Sequence, residues 1–422
     1  MDEAAESVAR GTAVGPGAAD AAPGAWDFTA PPTIRFGAGR AAETGEVAAT
    51  LGRRAWLVGG RRSLLEAPLR ARLERSLGEA GLSVEMAAVA AGEPTVDDVA
   101  AALAALPGGE REGVVVVAVG GGAAIDLAKA LAALATNLPP GLDAAAYDAG
   151  IVDRLEGVGR GIAIERPPLP LVALPTTAGT GAEATRNAVI SCPRRGFKKS
   201  LRSPLMVPRA AIVDPDLGAG CPVAVTAAAG LDCITQLVES FICRVRRPLP
   251  RALVLDGLPR ALVALERLVA DPSDGEARGA MAHAALLSGL ALANSGLGMA
   301  HGVAAALGVA CGTPHGVACG LLLPVALRAN AAVAVEDLAR LERAVDPLAP
   351  PAAAAAAAFV ARIEGLCGRV SAAAGLPVRL GQTGLDRERL PWLAANSGGA
   401  SLRGNPRDLD PAALEAILAA AW

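Results

Sequence analysis

Residues 113–122 read GVVVVAVGGG. A β-branched run with no polar residue on either alternation fits a strand covered on both faces, and such strands belong to parallel sheets flanked by helices. The glycines that end the run pass straight into AAIDLAKALAALAT (123–136), which reads as a helix. Successive parallel strands need a crossover of about a dozen residues or more, so further β/α units are expected on either side.

The flanking sequence supplies them. TIRFGAG (33–39), RAWLVGG (54–60), LSVEMAAV (82–89) and a stretch within PLPLVALPTTAGTG (168–181) read as strands. EAPLRARLERSLGEAG (66–81) and TVDDVAAALAAL (95–106) read as helices, the second opening on a Thr cap and an acidic first turn. The pattern changes near AAIVDPDL (210–217). Beyond it a 3.6-residue periodicity dominates 225–245, 250–270, 274–298 and the alanine-rich 350–375, the first expected to open on the cap Thr226. The expected fold class is α/β plus all-α, with a parallel-sheet dinucleotide-binding domain over 27–217 and a helical metal-binding and substrate domain over 218–422.

Residues 1–26 are acidic and rich in small side chains, which predicts a disordered arm. They have neither a basic start nor an apolar stretch, so no secretory signal is expected and the location is expected to be cytoplasmic. Aromatic residues are only 2% of the chain, so its core must be built from Ala, Val and Leu. A net charge of −3 gives no reason to expect a nucleic-acid partner, and no apolar run reaches the ~20 residues that a membrane span needs. The seven cysteines are odd in number and form no CxxC pair, which favours reduced thiols. Cys311 and Cys319 flank His315 and are candidate ligands, but buried cysteine more often behaves as a small hydrophobe.

Two turns carry nucleotide chemistry. Gly120, Gly121 and Gly122 follow a buried strand and open a helix, where a bare backbone and free N–H groups suit a pyrophosphate. The spacing is not GxGxxG, and a plain β-to-α turn is an equal reading. LPTTAGTGAEAT (174–185) places Thr176, Thr177, Thr180 and Thr185 after another strand, as a ligand loop or a polar helix cap. A metal site is suggested by Asp232 and Gln236, one helical turn apart, with His301 and His315; the chain has only three histidines. Such a set would suit Fe²⁺ or Zn²⁺, although the alternative of unrelated histidines stays open. His283 is assigned to packing or a helix surface.

Blocks in order along the chain resemble the iron-containing (group III) alcohol dehydrogenase family: TIRFGAGR, EPTVDDV, VGGGAAIDLAKA, LPTTAGTGAEAT, KKSLRSPLMVPRAAIVDPDL, TAAAGLDCITQLVES, GLALANSGLGMAHGVAAALG, TPHGVACGLLLPVALRAN and NPRDLD. The resemblance implies NAD(P)-dependent oxidation of small alcohols, or reduction of aldehydes and ketones, in a cleft between the two domains. It also implies cofactor contacts at Gly120, Gly121, Gly122, Asp126, Thr176, Thr177, Thr180 and Lys199, and metal ligands at Asp232, His301 and His315. A homodimer is compatible with it, with TIRFGAG pairing across a two-fold. The chain departs from the family pattern at Ala123, normally Ser; at Gln236, normally the fourth ligand His; and at Ala305, normally a His drawn as a proton relay. At the end of the second strand Gly60, Arg61 and Arg62 stand where NAD-preferring members carry Asp, which favours NADP(H). Two other readings remain: a relative of maleylacetate reductase or glycerol dehydrogenase type, and a nucleotide-binding protein with a decayed metal site.

Overall fold

The computed structural model describes residues 24–65, 68–106 and 111–422. The disordered arm expected over 1–26 lies, as far as residue 23, outside the described residues.

The first half contains β1 (Thr33–Phe36), β2 (Arg54–Gly60), β3 (Ser83–Ala90), β4 (Val114–Gly120), β5 (Leu171–Pro175), β6 (Asn187–Cys192), β7 (Phe197–Arg202) and β8 (Ala210–Val213). Six of them form one parallel sheet in the order β1-β8-β5-β4-β2-β3. The helices of this half are α1 (Thr44–Ala49), α2 (Leu69–Glu79), α3 (Val96–Ala104), α4 (Gly122–Asn137) and α5 (Ala144–Val152). β4 is buried at every position. Its alternation divides the core: Val114, Val116 and Ala118 join Trp56 and the α4 residues Ile125 and Leu131. Val115, Val117 and Val119 join Leu57, Val172 and the α2 residues Leu73 and Leu77 on the other face. Thr95 and Asp98 form a capping box at α3, as the Thr cap and acidic first turn predict.

The sheet has a topological switch point. The chain leaves β2 for β3 on one side and leaves β4 for β5 on the other. A crevice therefore opens between the C-terminal ends of β2 and β4, where ligands of open α/β sheets bind. Between β5 and β8 the chain makes an antiparallel hairpin of β6 and β7 that sequence reasoning did not assign.

From Val223 onward the chain is helical: α6 (Val223–Ile242), α7 (Pro248–Ala270), α8 (Gly275–Asn294), α9 (Met299–Cys311), α10 (His315–Asn330), α11 (Val335–Val345), α12 (Ala352–Ala373), α13 (Leu390–Asn396), α14 (Gly399–Arg403) and α15 (Pro411–Ala420). α6 is the spine of this half, packing Leu231, Ile234, Leu237 and Phe241 against α7, α8 and α12. By length and composition it could cross a bilayer, but 78% of its apolar window is buried inside the molecule. It starts after Pro222, so Thr226 sits in the first turn, bonded to the Pro222 carbonyl, rather than capping it. The helix expected over 274–298 stops at Asn294, and α9 leaves at 98° to α8. The glycines of the break, Gly296 and Gly298, let the chain unwind there. The two halves meet backbone to backbone: a Cβ at Gly289 of α8 would lie 2.3 Å from the Gly181 carbonyl oxygen.

Candidate functional site

The nucleotide turn is built by exclusion of side chains. Gly120 has φ +153, and a Cβ there would meet the Ala124 methyl at 2.7 Å and the Gly60 nitrogen at 3.1 Å. Gly60 and Gly120 thus bring the ends of β2 and β4 into contact at the switch point. Gly121 and Gly122 lie against the loop after β5: their missing Cβ atoms would sit 3.3 Å from the Thr177 Oγ1 and 2.7 Å from the Thr180 Oγ1. The Thr176 amide donates to the Gly120 carbonyl at 3.0 Å. Two glycine-rich turns, Thr177 and Thr180 therefore share one crevice beside the N-terminus of α4, where N–H groups and the helix dipole favour an anion. Arg61 and Arg62 are exposed on the turn after β2.

Other polar residues of this wall have structural partners. Asp126 accepts the Val189 amide at 3.0 Å, and burial pushes its carboxyl up to about 6. Thr185, one of the four loop hydroxyls, holds the buried Lys129: its carbonyl and Oγ1 accept from Nζ at 2.7 and 2.8 Å. Burial lowers that ammonium to about 8. Of the two adjacent hairpin lysines, Lys198 turns to the cleft. Its Nζ lies 2.7 Å from Glu93, and its charge is felt at Asp126 and His315. Lys199 points to the opposite face of β7.

Asp232 from α6, His301 from α9, and His315 and Cys319 from α10 converge on one point, their donor atoms all within 4.8 Å of one another. His301 Nε2 lies 3.3 Å and His315 Nε2 3.8 Å from Asp232 Oδ1. Cys319 Sγ lies 3.6 Å from His315 Nε2. α10 reaches α6 this closely because Gly316 carries no side chain; a Cβ there would meet the Ala228 carbonyl oxygen at 2.3 Å. The break before α9 is equally necessary. It places His301 in the first turn of a helix, not at the end of one as its sequence suggests.

Glu239, one helical turn beyond Gln236 and 1% exposed, fixes His301. Its carboxylate accepts the amides of Gly298, Ala300 and His301 at 3.0, 2.7 and 3.3 Å and sits 2.7 Å from His301 Nδ1. The carboxylate cannot donate, so Nδ1 carries a hydrogen and Nε2 is the ring nitrogen directed at Asp232. Asn405 of the NPRDLD block accepts the Met299 amide at 3.1 Å, and a reciprocal amide pair holds it to Asn330. Sequence reasoning missed Glu239. Its marker is an acid one helical face along from Asp232 and Gln236.

The donor set fits a divalent metal. Asp232 Oδ1 and His301 Nε2 are buried and only 3.3 Å apart, yet neither makes a well-aligned hydrogen bond. Orphaned atoms of that kind destabilise a fold unless something else satisfies them. Burial alone would raise the Asp232 pKa, yet the two imidazoles hold it below the ordinary range. Burial alone would lower that of His301, but Cys319, Asp232 and Glu239 outweigh it. Burial pushes His315 down to about 4, so its ring is neutral, whereas His301 would have to give up a proton to a metal on binding. Gln236 is close by on α6 but gives its amide N–H to the Gly179 carbonyl at 3.0 Å. Cys311 bonds the Leu307 carbonyl and Thr313 instead. Cys319, read from sequence as a hydrophobe, belongs to the cluster. All seven cysteines are free thiols. His283 is a surface residue, 2.8 Å from Asp256 and edge-on to Phe36.

Comparison with known proteins gives the same answer from a separate direction. The family model "Iron-containing alcohol dehydrogenase" matches residues 31–215, and "Fe-containing alcohol dehydrogenase family, C-terminal" matches 226–422. The chain is 32% identical to probable alcohol dehydrogenase EutG of Salmonella typhimurium over 93% of this chain and 94% of that one. It is 33% identical to lactaldehyde reductase of Escherichia coli, covering 72% and 76% respectively. The crystal structure of a 1,3-propanediol oxidoreductase superposes with a TM-score of 0.83 at 29% identity, covering 94% of this chain and all of the other. An α/β half with its crevice at Gly60 and Gly120, a helical half with an Asp/His/His cluster, and matches over both halves have one meaning: the chain belongs to the iron-containing alcohol dehydrogenase family and is an oxidoreductase acting on CH–OH groups.

Proposed function

We propose that the chain interconverts a small alcohol with its aldehyde or ketone, using NADP(H) in preference to NAD(H), with a divalent metal, Fe²⁺ or Zn²⁺, held by Asp232, His301 and His315. The proposal assigns the cofactor to the unit 27–217, the metal to 218–422, and the protein to the cytoplasm. The observation that carries it is the convergence of Asp232, His301 and His315 on one point, with buried Asp232 Oδ1 and His301 Nε2 making no well-aligned hydrogen bond.

A metal bound there would supply Lewis acidity toward the substrate oxygen. The remaining functions fall to the chain itself. Glu239 holds the Nδ1 proton of His301 so that the other nitrogen stays available. The amides at the start of α4 would hold the cofactor phosphates, with Thr177 and Thr180 lying against the same turn and Thr176 tied to it through its amide. Arg61 and Arg62 accommodate a 2′-phosphate at a β2 end that carries Gly60 and no carboxylate. His315, with 29% of its side chain exposed, is the open side from which substrate arrives. Ala305 offers no imidazole at that position to relay a proton, so proton transfer would rely on water.

The test is elemental analysis of protein purified without oxygen or chelator, followed by reduction of a panel of small aldehydes with NADPH and NADH. About one metal per chain and a kcat/KM ratio favouring NADPH are expected. Absence of metal, with none taken up on addition of Fe²⁺ or Zn²⁺, would refute the metal assignment. A ratio strongly favouring NADH would refute the cofactor assignment.

A further inference from the structure

We infer that Cys319, not Gln236, completes the metal site, and that the site is therefore built for zinc. The inference rests on the reading of Asp232, His301 and His315 as ligands and adds the fourth.

The first argument is geometric. His315 and Cys319 are four residues apart on α10, so both project from one helix face. Cys319 is completely buried, on the side of α10 that faces Asp232. Zinc bonds of about 2.0–2.1 Å to nitrogen or oxygen and about 2.3 Å to sulfur require tetrahedral edges of roughly 3.3–3.6 Å between donors. The observed edges are 3.3 Å for His301 to Asp232, 3.6 Å for Cys319 to His315 and 3.8 Å for His315 to Asp232. These are three of the six edges, and all four donors lie within 4.8 Å of one another, within reach of one ion.

The second argument is chemical. Gln236 offers a neutral amide oxygen, a weak donor, and its nitrogen is bonded to the Gly179 carbonyl and lies 3.4 Å from Ser288 Oγ. Those bonds tie α6 to the threonine loop and to α8, which makes Gln236 a positioning residue. A thiolate is a strong, soft donor. Together with two imidazoles and one carboxylate it matches the ligand preference of Zn²⁺, whereas oxygen and imidazole ligands alone suit Fe²⁺ equally. The chain lacks a donor imidazole at 236 and has a sulfur one helical turn beyond His315. On this reading Cys319 supplies the donor that position 236 lacks.

The experiment uses the full chain, stripped with chelator and reloaded with Co²⁺. A thiolate-to-cobalt charge-transfer band in the near ultraviolet is expected in the unmodified protein and in Gln236→Ala, and its loss is expected in Cys319→Ser. The other six cysteines remain in every variant, so a band due to any of them would persist. Zinc affinity is expected to fall by about 100-fold in Cys319→Ser and by less than about tenfold in Gln236→Ala. X-ray absorption at the zinc edge of the unmodified protein needs no variant to fold; it is expected to give one sulfur neighbour at about 2.3 Å. A band that survives Cys319→Ser, or a metal with only nitrogen and oxygen neighbours, would overturn the inference and leave the three-ligand reading intact. Failure to bind any of Co²⁺, Zn²⁺ or Fe²⁺ would overturn both.

Discussion

The two walls of the cleft differ in how far along the chain their parts come from. The proposed cofactor wall would take its anion-binding groups from consecutive residues, Gly120 to Gly122 and the first turn of α4, and most of them are backbone. The proposed metal wall would take its donors from three helices, at residues 232, 301, 315 and 319, and every one is a side chain. A wall made of backbone fails when atoms are added to it. A wall made of side chains fails when a donor, or the group that aims it, is removed. The two walls should therefore respond to opposite kinds of substitution.

The largest effect is expected at the seam between the walls. Gly289→Ala places a methyl group 2.3 Å from the Gly181 carbonyl oxygen, backbone that has no room to yield. A loss of about 3 kcal/mol in unfolding free energy by denaturant titration is expected, from one added carbon. A loss below 0.5 kcal/mol would show that the seam is loose.

Next is a buried acid on the cofactor wall. Burial pushes the Glu183 carboxyl up to about 7 from an ordinary 4.5. Between those values the folded chain holds a proton that the unfolded chain has released. Stability is therefore full below about pH 4.5 and falls as pH rises toward about 7. Glu183→Gln is expected to remove that slope, a difference on the order of 2 kcal/mol, and to be the more stable protein at alkaline pH. Identical pH profiles for variant and parent would show that Glu183 is not the source.

On the metal wall, Glu239→Gln keeps the volume but removes the charge from the group that accepts three amides and faces His301. Zinc affinity is expected to drop about 10- to 100-fold, while the dissociation constant of the nicotinamide cofactor stays within about twofold. A matching loss of cofactor affinity would end the separation of the walls. The smallest effect is expected from Arg61→Ala combined with Arg62→Ala: weaker NADPH binding by about tenfold, with NADH unchanged.

The same distinction explains what was legible in the sequence. The buried strand, its glycines and the helix after them were readable because each constrains its neighbour directly. Thr95 and Asp98 were readable for the same reason. Thr185 was legible as a loop hydroxyl but not as the holder of Lys129, which reaches it from another element. The choice between Lys198 and Lys199 depends on the strand face of a hairpin whose only marker is the turn at Gly196, with φ +66. His301 was visible as a rare residue, yet its position in a first turn follows from a break at residues 295–298 within an otherwise continuous apolar pattern. Cys319 was the hardest case. In sequence a cysteine in an apolar helix is indistinguishable from a packing residue, and only the approach of α10 to α6 across Gly316 separates the two.

The contact of Gly181 with Gly289 has a mechanical consequence. Two helical or loop segments separated by side chains can slide as rotamers change, but two bare backbones at this distance cannot. Any breathing of the enzyme between cofactor uptake and release must rotate about this line as a pivot. Thr180, next to the pivot, travels least, and the arginine-bearing turn after β2, at the far lip, travels most. Motion about that line would keep the threonines of the 176–180 loop in register with α8.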